Sequence, residues 1–457
     1  MMNASQILAR HALSVDWATL PAPAQDTTRI FLLDTLGVGI AGSRAGFADE
    51  VAAAAQGWTS AGTAAVLGRG ALVGAPQAAF INAYQIHAQE FDCVHEGAVV
   101  HPLATILSAV MADTARLKVA MAGTEFGAAL VAGVDIAATL GLAAKAPLQF
   151  FRPATAGIFG CVAALARLRR LDLATTVSAF GHALAFASGT MQAHVEGKPG
   201  LPLQVAHAAQ ASLMAIDLAL AGLPGTTGSI DGPFGYLSLF EKATDLPPLL
   251  ADLGRVWRIA EVSHKPFPTG RAAHGAIVAT QALMRDHGVT PATLESLTYT
   301  APPLIHRLVG RPLPAYPGAM TANYARLCFA WLGAVVLTRG TVGLADFTPG
   351  RLTDPALHSL GSRIQVLVNH NPDPAAFVPA VAQAKLTDGR MVQVQIDSQL
   401  GSPATPLSRE QHLRKFRACL DFAGATALAD PLIDAIDRLH EQEDMAALLR
   451  RAAGLAG

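Results

Sequence analysis

The chain is 457 residues long, 51% apolar and only 15% charged, with a formal net charge of −1. That length exceeds what a single hydrophobic core usually organises, and the apolar content excludes disorder. The near-zero charge leaves no electrostatic case for nucleic acid or an anionic membrane, so any anion must meet a local cluster of cations. The four cysteines, Cys93, Cys161, Cys328 and Cys419, form no CxxC pair. This argues against a disulfide framework, a zinc ribbon or a cysteine-held cluster. The opening MMNASQILARHALSVDW lacks a basic-then-apolar leader, so a soluble, cytoplasmic protein is expected.

Apolar residues recur every three or four positions in 27–41, 76–90, 102–112, 126–140, 159–169, 173–188 and 205–220, which predicts a succession of packed helices. The most apolar stretch, 127–142, is interrupted by Asp135 and is short for a membrane span, so it is expected to be buried. The character changes near Val262. His264-Lys265-Pro266-Phe267-Pro268 cannot be continuous helix, because each proline removes a donor and restricts its predecessor. Beyond it the sequence predicts helix over 272–285 and 321–337 and strands over 294–300, 363–369, 377–386 and 391–397. The Asp388-Gly389 turn joins the last two strands. From Ser408 the chain is helical again. The predicted fold is therefore mainly α: a large helical domain built from 1–262 and 403–457, interrupted by a smaller α+β domain over 263–402.

Four segments carry candidate chemistry. HAQEFDCVHEGAVVHP (87–102) places three histidines and three carboxylates between two helices. His95 and His101 suit proton transfer near neutral pH, with Glu90 or Asp92 orienting a ring, and the following helix N-terminus favours anions. A metal site from Asp92, His95 and His101 and a plain polar loop are the competing readings. KPFPTGRAAH (265–274) presents Lys265, Arg271 and His274 around a rigid turn, suited to carboxylates or simply to solvent. In TANYAR (321–326), Tyr324 is a candidate phenolic acid or a core residue. His194-Val-Glu-Gly-Lys198-Pro-Gly is a polar loop in which Lys198 is the residue of interest. No phosphate loop, dinucleotide fingerprint or GxSxG elbow occurs in a supporting context.

Together with LLDTLGVGIAG (32–42), FRPATAGIFG (151–160), KLTDGR (385–390) and KFR (415–417), these segments resemble the MmgE/PrpD family along nearly the whole chain. That family includes 2-methylcitrate dehydratases, cis-aconitate decarboxylases and iminodisuccinate epimerase. The resemblance implies a helical domain formed by both chain ends, an α+β lid, a homodimer, and no metal or cofactor. By position it puts His101 on an active-site histidine, Glu90 on a nearby aspartate, Lys265 on the lid lysine and Tyr324 on the lid tyrosine. The expected activity is proton abstraction beside a carboxylate of a small polycarboxylic acid, with loss of water first. His101 would be the acid/base, His95 its partner and Tyr324 a second acid. Lys265, Arg271 and Arg152 would clamp carboxylates, with Glu90, Asp92, Lys198 and His274 around them. Epimerisation and a non-catalytic binding role are the alternatives. Where the family usually reads Asp-Asp-Thr-His, this chain has Asp92-Cys93-Val94-His95, and Phe151-Arg152 replaces a histidine.

Overall fold

The first helix, Ala4–Ser14, begins at a reciprocal cap: the Asn3 side chain accepts from the Gln6 amide, and the Gln6 side chain accepts from that of Asn3. The computed structural model describes residues 2–58, 61–117, 119–145, 148–241, 243–373 and 376–455. Two units emerge. One comprises Met1–Ala88, Asp92–Ser263 and Arg409–Gly457, and the other Gln89–Phe91 and His264–Ser408. The three residues Gln89–Phe91 thus leave the first unit just before its candidate site begins.

Among the described residues the first unit is helical, apart from a small β1 (Ala64–Val66) and β2 (Ala71–Val73) ribbon. Its helices Gly123–Ala143 and Gly157–Leu168 touch backbone to backbone. A Cβ on Gly133 would lie 2.8 Å from the Gly160 carbonyl oxygen, and one on Gly160 would lie 2.7 Å from that of Gly133. Only glycine permits this approach, and it buries both helices on all sides. Gly123–Ala143 is long and apolar enough to cross a membrane, yet 94% of its most apolar window is buried inside the unit. Its apolarity is spent on the core. Gly200–Leu220 passes the same test with 56% buried, and Leu203, Met214 and Leu220 are exposed along it.

The chain's end is fastened to its beginning by charge. Lys415, on the helix Arg409–Ala423, reaches Asp34 on Ala22–Gly42 with nitrogen–oxygen distances of 2.8 and 3.0 Å, both side chains being buried. Removing one partner of such a pair strands the other charge, at a cost of about 3–5 kcal/mol.

The second unit holds a four-stranded sheet in the order β4-β3-β5-β6, with β3 Leu294–Ala301, β4 Ile364–Val368, β5 Ala380–Leu386 and β6 Met391–Ile396. β3 runs parallel to β4 and antiparallel to β5. The β5–β6 hairpin turns at Gly389, whose φ of +87° suits glycine. Ala380, Ala382, Ala384 and Leu386 face inward in strict alternation. The helices His274–His287 and Phe329–Arg339 pack on the sheet.

Two predicted helices end differently from their periodicity. The helix expected over 76–90 stops at His87, and Glu90 takes a left-handed backbone, φ +51°. The helix expected over 321–337 is two pieces, Ala322–Ala325 and Phe329–Arg339. Between them the Arg326 carbonyl accepts from the Gly270 amide, and Cys328, bridged to Gly310, stands as the N-cap from which the second piece starts.

Candidate active site

In the first unit the site begins where the helix Ala75–His87 ends. His87 is its last residue, and the chain returns at Asp92 into a tight loop. That loop closes on itself: His95 and Val100 exchange backbone hydrogen bonds, and Val99 adopts φ +52°. His101 then caps the fully buried helix Pro102–Thr114, where Pro102 fits the first turn because its missing amide has no intrahelical partner.

This path brings two imidazoles onto one carboxylate. Asp92 Oδ2 lies 3.0 Å from His87 Nδ1 and 3.0 Å from His101 Nδ1. The Asp92 side chain has no exposure, His87 has 1% and His101 has 13%. The two rings meet edge to face at 4.7 Å, and Phe151 lies 5.7 Å from His87. A carboxylate accepts only, so each Nδ1 donates to it and the proton is fixed there. The distal Nε2 then becomes the basic atom, and an imidazolium is stabilised if one forms. Such an arrangement is suited to general acid/base chemistry, with His101 its more accessible member.

The other expected residues of this unit are spent differently. His95 Nδ1 accepts from the Ala98 amide at 3.1 Å, which places its proton on Nε2, 3.0 Å from Glu261 Oε2. Burial pushes the Glu261 carboxyl up, but the bonds from His95 and Arg258 outweigh it and hold it below its usual range. His95 therefore pins the loop. Arg152 forms a bidentate pair with Glu241 at 2.8 and 3.1 Å and donates to the Ala98 carbonyl at 3.3 Å. It is a buried strut of the same loop, its fork already engaged by a carboxylate. Lys198 is exposed, beyond the short helix Gln192–Glu196. Cys93 is buried, and burial, with Asp34 and Asp92 adding to it, drives its thiol far above the range of a nucleophile.

In the second unit Lys265 has no exposed surface, and its ammonium sits 2.8 Å from Glu90 Oε2. Arg271 Nη1 donates to the carbonyls of Leu400 (2.7 Å) and His264 (3.2 Å) and to His274 Nδ1 (3.2 Å), which makes it a staple of the turn. Tyr324 donates its hydroxyl to the Pro312 carbonyl at 2.7 Å, with the Arg311 guanidinium 5.3 Å above its ring. Its phenol is raised, chiefly by burial.

Metal-ligating atoms of His87, Asp92 and His101 lie within 4.8 Å of one another, so these three are the residues that can hold an ion in this cluster. Their present pairing suits protons instead, since a metal on Nδ1 would displace the N–H bonds to Asp92. His87 is not among the candidates that the sequence singles out. Its signal was its position at a helix end, five residues before Asp92, where a turn can bring both onto His101.

Comparison with known proteins places this geometry in a family context. The model of the MmgE/PrpD N-terminal domain matches residues 6–248, and that of the MmgE/PrpD C-terminal domain matches 267–441. Among curated proteins, the chain is 26% identical to cis-aconitate decarboxylase of Mus musculus, over 93% of this chain and 88% of that one. It is 26% identical to a cis-aconitate decarboxylase-like protein of Aspergillus oryzae, covering 96% and 92%. Against cis-aconitate decarboxylase of Homo sapiens it is 24% identical, covering 91% and 88%.

Proposed function

Because this chain belongs to the MmgE/PrpD family, we propose that it is a lyase that acts on a small polycarboxylic acid by moving a proton at a carbon beside a carboxylate. The observation that carries this reading is the sharing of Asp92 Oδ2 by His87 and His101, which fixes the ring tautomers and makes His101 Nε2 the working atom. Lys265 is assigned to carboxylate recognition on its position in the family alone, since its ammonium rests on Glu90 in this structure and must exchange that partner for the substrate.

Loss of CO2 is the first reading, supported by the names of the relatives. Cleavage of the carbon–carboxylate bond leaves an electron pair on the carbon, and His101 delivers a proton to it from an imidazolium that solvent then restores. Loss of water, expected from the resemblance, is the second reading. There the neutral imidazole removes a proton before a hydroxyl departs. Asp92 serves either direction, because it stabilises the imidazolium common to both.

The two readings separate by product and by pH. Purified protein is incubated with cis-aconitate and, separately, with 2-methylcitrate, while CO2 and the unsaturated acid are measured. A decarboxylase needs His101 protonated and loses kcat as pH rises; a dehydratase needs it neutral and loses kcat as pH falls. Exchange of deuterium from solvent with neither product would instead mark an epimerase. Full turnover by His101→Ala would overturn the assignment. We also propose that the exposed Leu203, Met214 and Leu220 of Gly200–Leu220 are covered by a second copy, which light scattering would detect as a dimer.

A further inference from the structure

Several buried cations of the first unit meet a carboxylate: Lys415 meets Asp34, Arg152 meets Glu241, Arg167 meets Glu125 and Arg258 meets Glu261. Arg326, in the second unit, does not. It is 4% exposed, and among the described residues its guanidinium forms no ion pair. Its Nη1 donates to the Gln89 carbonyl at 2.8 Å and to the Pro268 carbonyl at 2.9 Å. Its plane lies 3.9 Å over the Phe347 ring, and its Nε has no acceptor. An incompletely paired buried guanidinium is costly to keep, so what it holds deserves explanation.

What it holds is specific. Gln89 immediately precedes Glu90, and Pro268 lies three residues beyond Lys265. Glu90 adopts φ +51°, a backbone that a residue with a side chain rarely takes unless its neighbours are fixed. The Arg326 carbonyl also accepts from the Gly270 amide at 3.0 Å. One residue therefore grips the 268–270 turn from both its side chain and its backbone, and ties that turn to Gln89. Burial lowers the pKa of the guanidinium, and the nearby Glu90 charge opposes that fall. While both are ionised, Arg326 and Lys265 together outweigh Glu90 by one positive charge, the sign an anionic substrate requires.

We propose that Arg326 is a positioning residue: it clamps Gln89 to Pro268 so that Glu90 and Lys265 meet, and so keeps the Lys265 ammonium oriented for a substrate carboxylate. The last clause rests on the lyase reading; the clamp itself does not.

The experiment has two arms. In the first, native protein is treated with an amine-acetylating reagent and acetylation of Lys265 is followed by mass spectrometry. Wild-type Lys265 is protected, and Arg326→Met is expected to raise its labelling rate about tenfold or more while thermal melting still shows a folded protein. Arg326→Lys keeps the charge but has a single nitrogen to serve two carbonyls. It is expected to label at an intermediate rate, and it decides the matter if the methionine variant does not fold. Unchanged protection of Lys265 in a folded variant overturns the clamp. In the second arm, KM and kcat for cis-aconitate are compared in wild type, Arg326→Met, Lys265→Ala and the double variant. A residue acting through Lys265 raises KM more than it lowers kcat, and adds nothing once Lys265 is gone. Effects that multiply in the double variant overturn the positioning role. Absence of wild-type turnover with both cis-aconitate and 2-methylcitrate overturns the lyase reading alone, and leaves the labelling result to judge the clamp.

Discussion

Two buried carboxylates in the first unit each hold an imidazole at hydrogen-bond distance, and they serve different ends. Asp135 Oδ2 lies 2.8 Å from His11 Nε2, while Asp135 Oδ1 accepts the Arg258 amide at 2.8 Å. Asp92 Oδ2 accepts from His87 and His101 at 3.0 Å each. Neither carboxylate has exposed side-chain surface, so distance and burial do not distinguish the pairs. The nitrogen used does. His11 spends Nε2, the tip of its ring, and its other face leans on Trp257 at 5.9 Å. His101 spends Nδ1, the atom nearer its backbone, and makes the tip the basic position. Its side chain is 13% exposed, against 7% for His11. A histidine–carboxylate contact is thus no signature of catalysis until one knows which nitrogen it consumes.

The largest expected effect breaks this comparison at the two histidines. His101→Ala should lower turnover about 10²–10⁴-fold, the usual contribution of a positioned acid/base. His11→Ala should leave the turnover of folded protein near wild type while lowering its melting temperature. Asp92→Asn should follow His101→Ala in direction, because an uncharged amide no longer stabilises the imidazolium. Steady-state kinetics and thermal melting on all three variants decide it. Equal activity losses for His11→Ala and His101→Ala would erase the distinction.

Asp135 sharpens it from the carboxylate side. Burial raises its pKa, against the bonds from His11 and the Arg258 amide. Asp135→Ala should cost about 3–5 kcal/mol in chemical denaturation, since it strands His11 and the Arg258 amide. Turnover per folded molecule should hold. A loss of turnover with unchanged stability would place Asp135 in the chemistry after all.

How much of this was legible beforehand depends on the kind of signal. The periodicity over 126–140 foresaw Gly123–Ala143, because a helix buried on every side must be apolar throughout. The Asp388-Gly389 turn foresaw the β5–β6 hairpin for a local steric reason. The segment 87–102 stands out as a candidate site because imidazoles and carboxylates crowd there. What each side chain does inside it is not legible in the same way. Residue type alone makes Arg152 a substrate clamp, but Glu241, 89 residues away, fills its fork. His95 looked like a partner of His101 until Glu261 claimed its proton. Arg326 sat inside a motif valued for Tyr324, and its task depends on two backbone carbonyls, which carry no residue-type signal. Partners distant in sequence decide roles, whereas local steric preferences decide elements.

A third buried histidine supplies the smallest and most graded test. His412 packs beside the Asp34–Lys415 pair, and burial lowers its pKa from 6.5 to about 4; Asp34 and Asp437 pull it up, while Lys415 and Arg409 push it down. Its burial holds it neutral. Its folded pKa lies below its unfolded one, so between the two values the unfolded chain binds more protons. Stability is therefore complete above pH 6.5 and declines as pH falls toward 4, by up to about 3 kcal/mol from this group. His412→Gln cannot titrate and should flatten that part of the decline, measured as denaturation midpoints across the same range. If the variant loses stability as steeply as wild type between pH 6.5 and 4, His412 is not held neutral by its burial, and the carboxylates of Asp34 and Asp437 outweigh it.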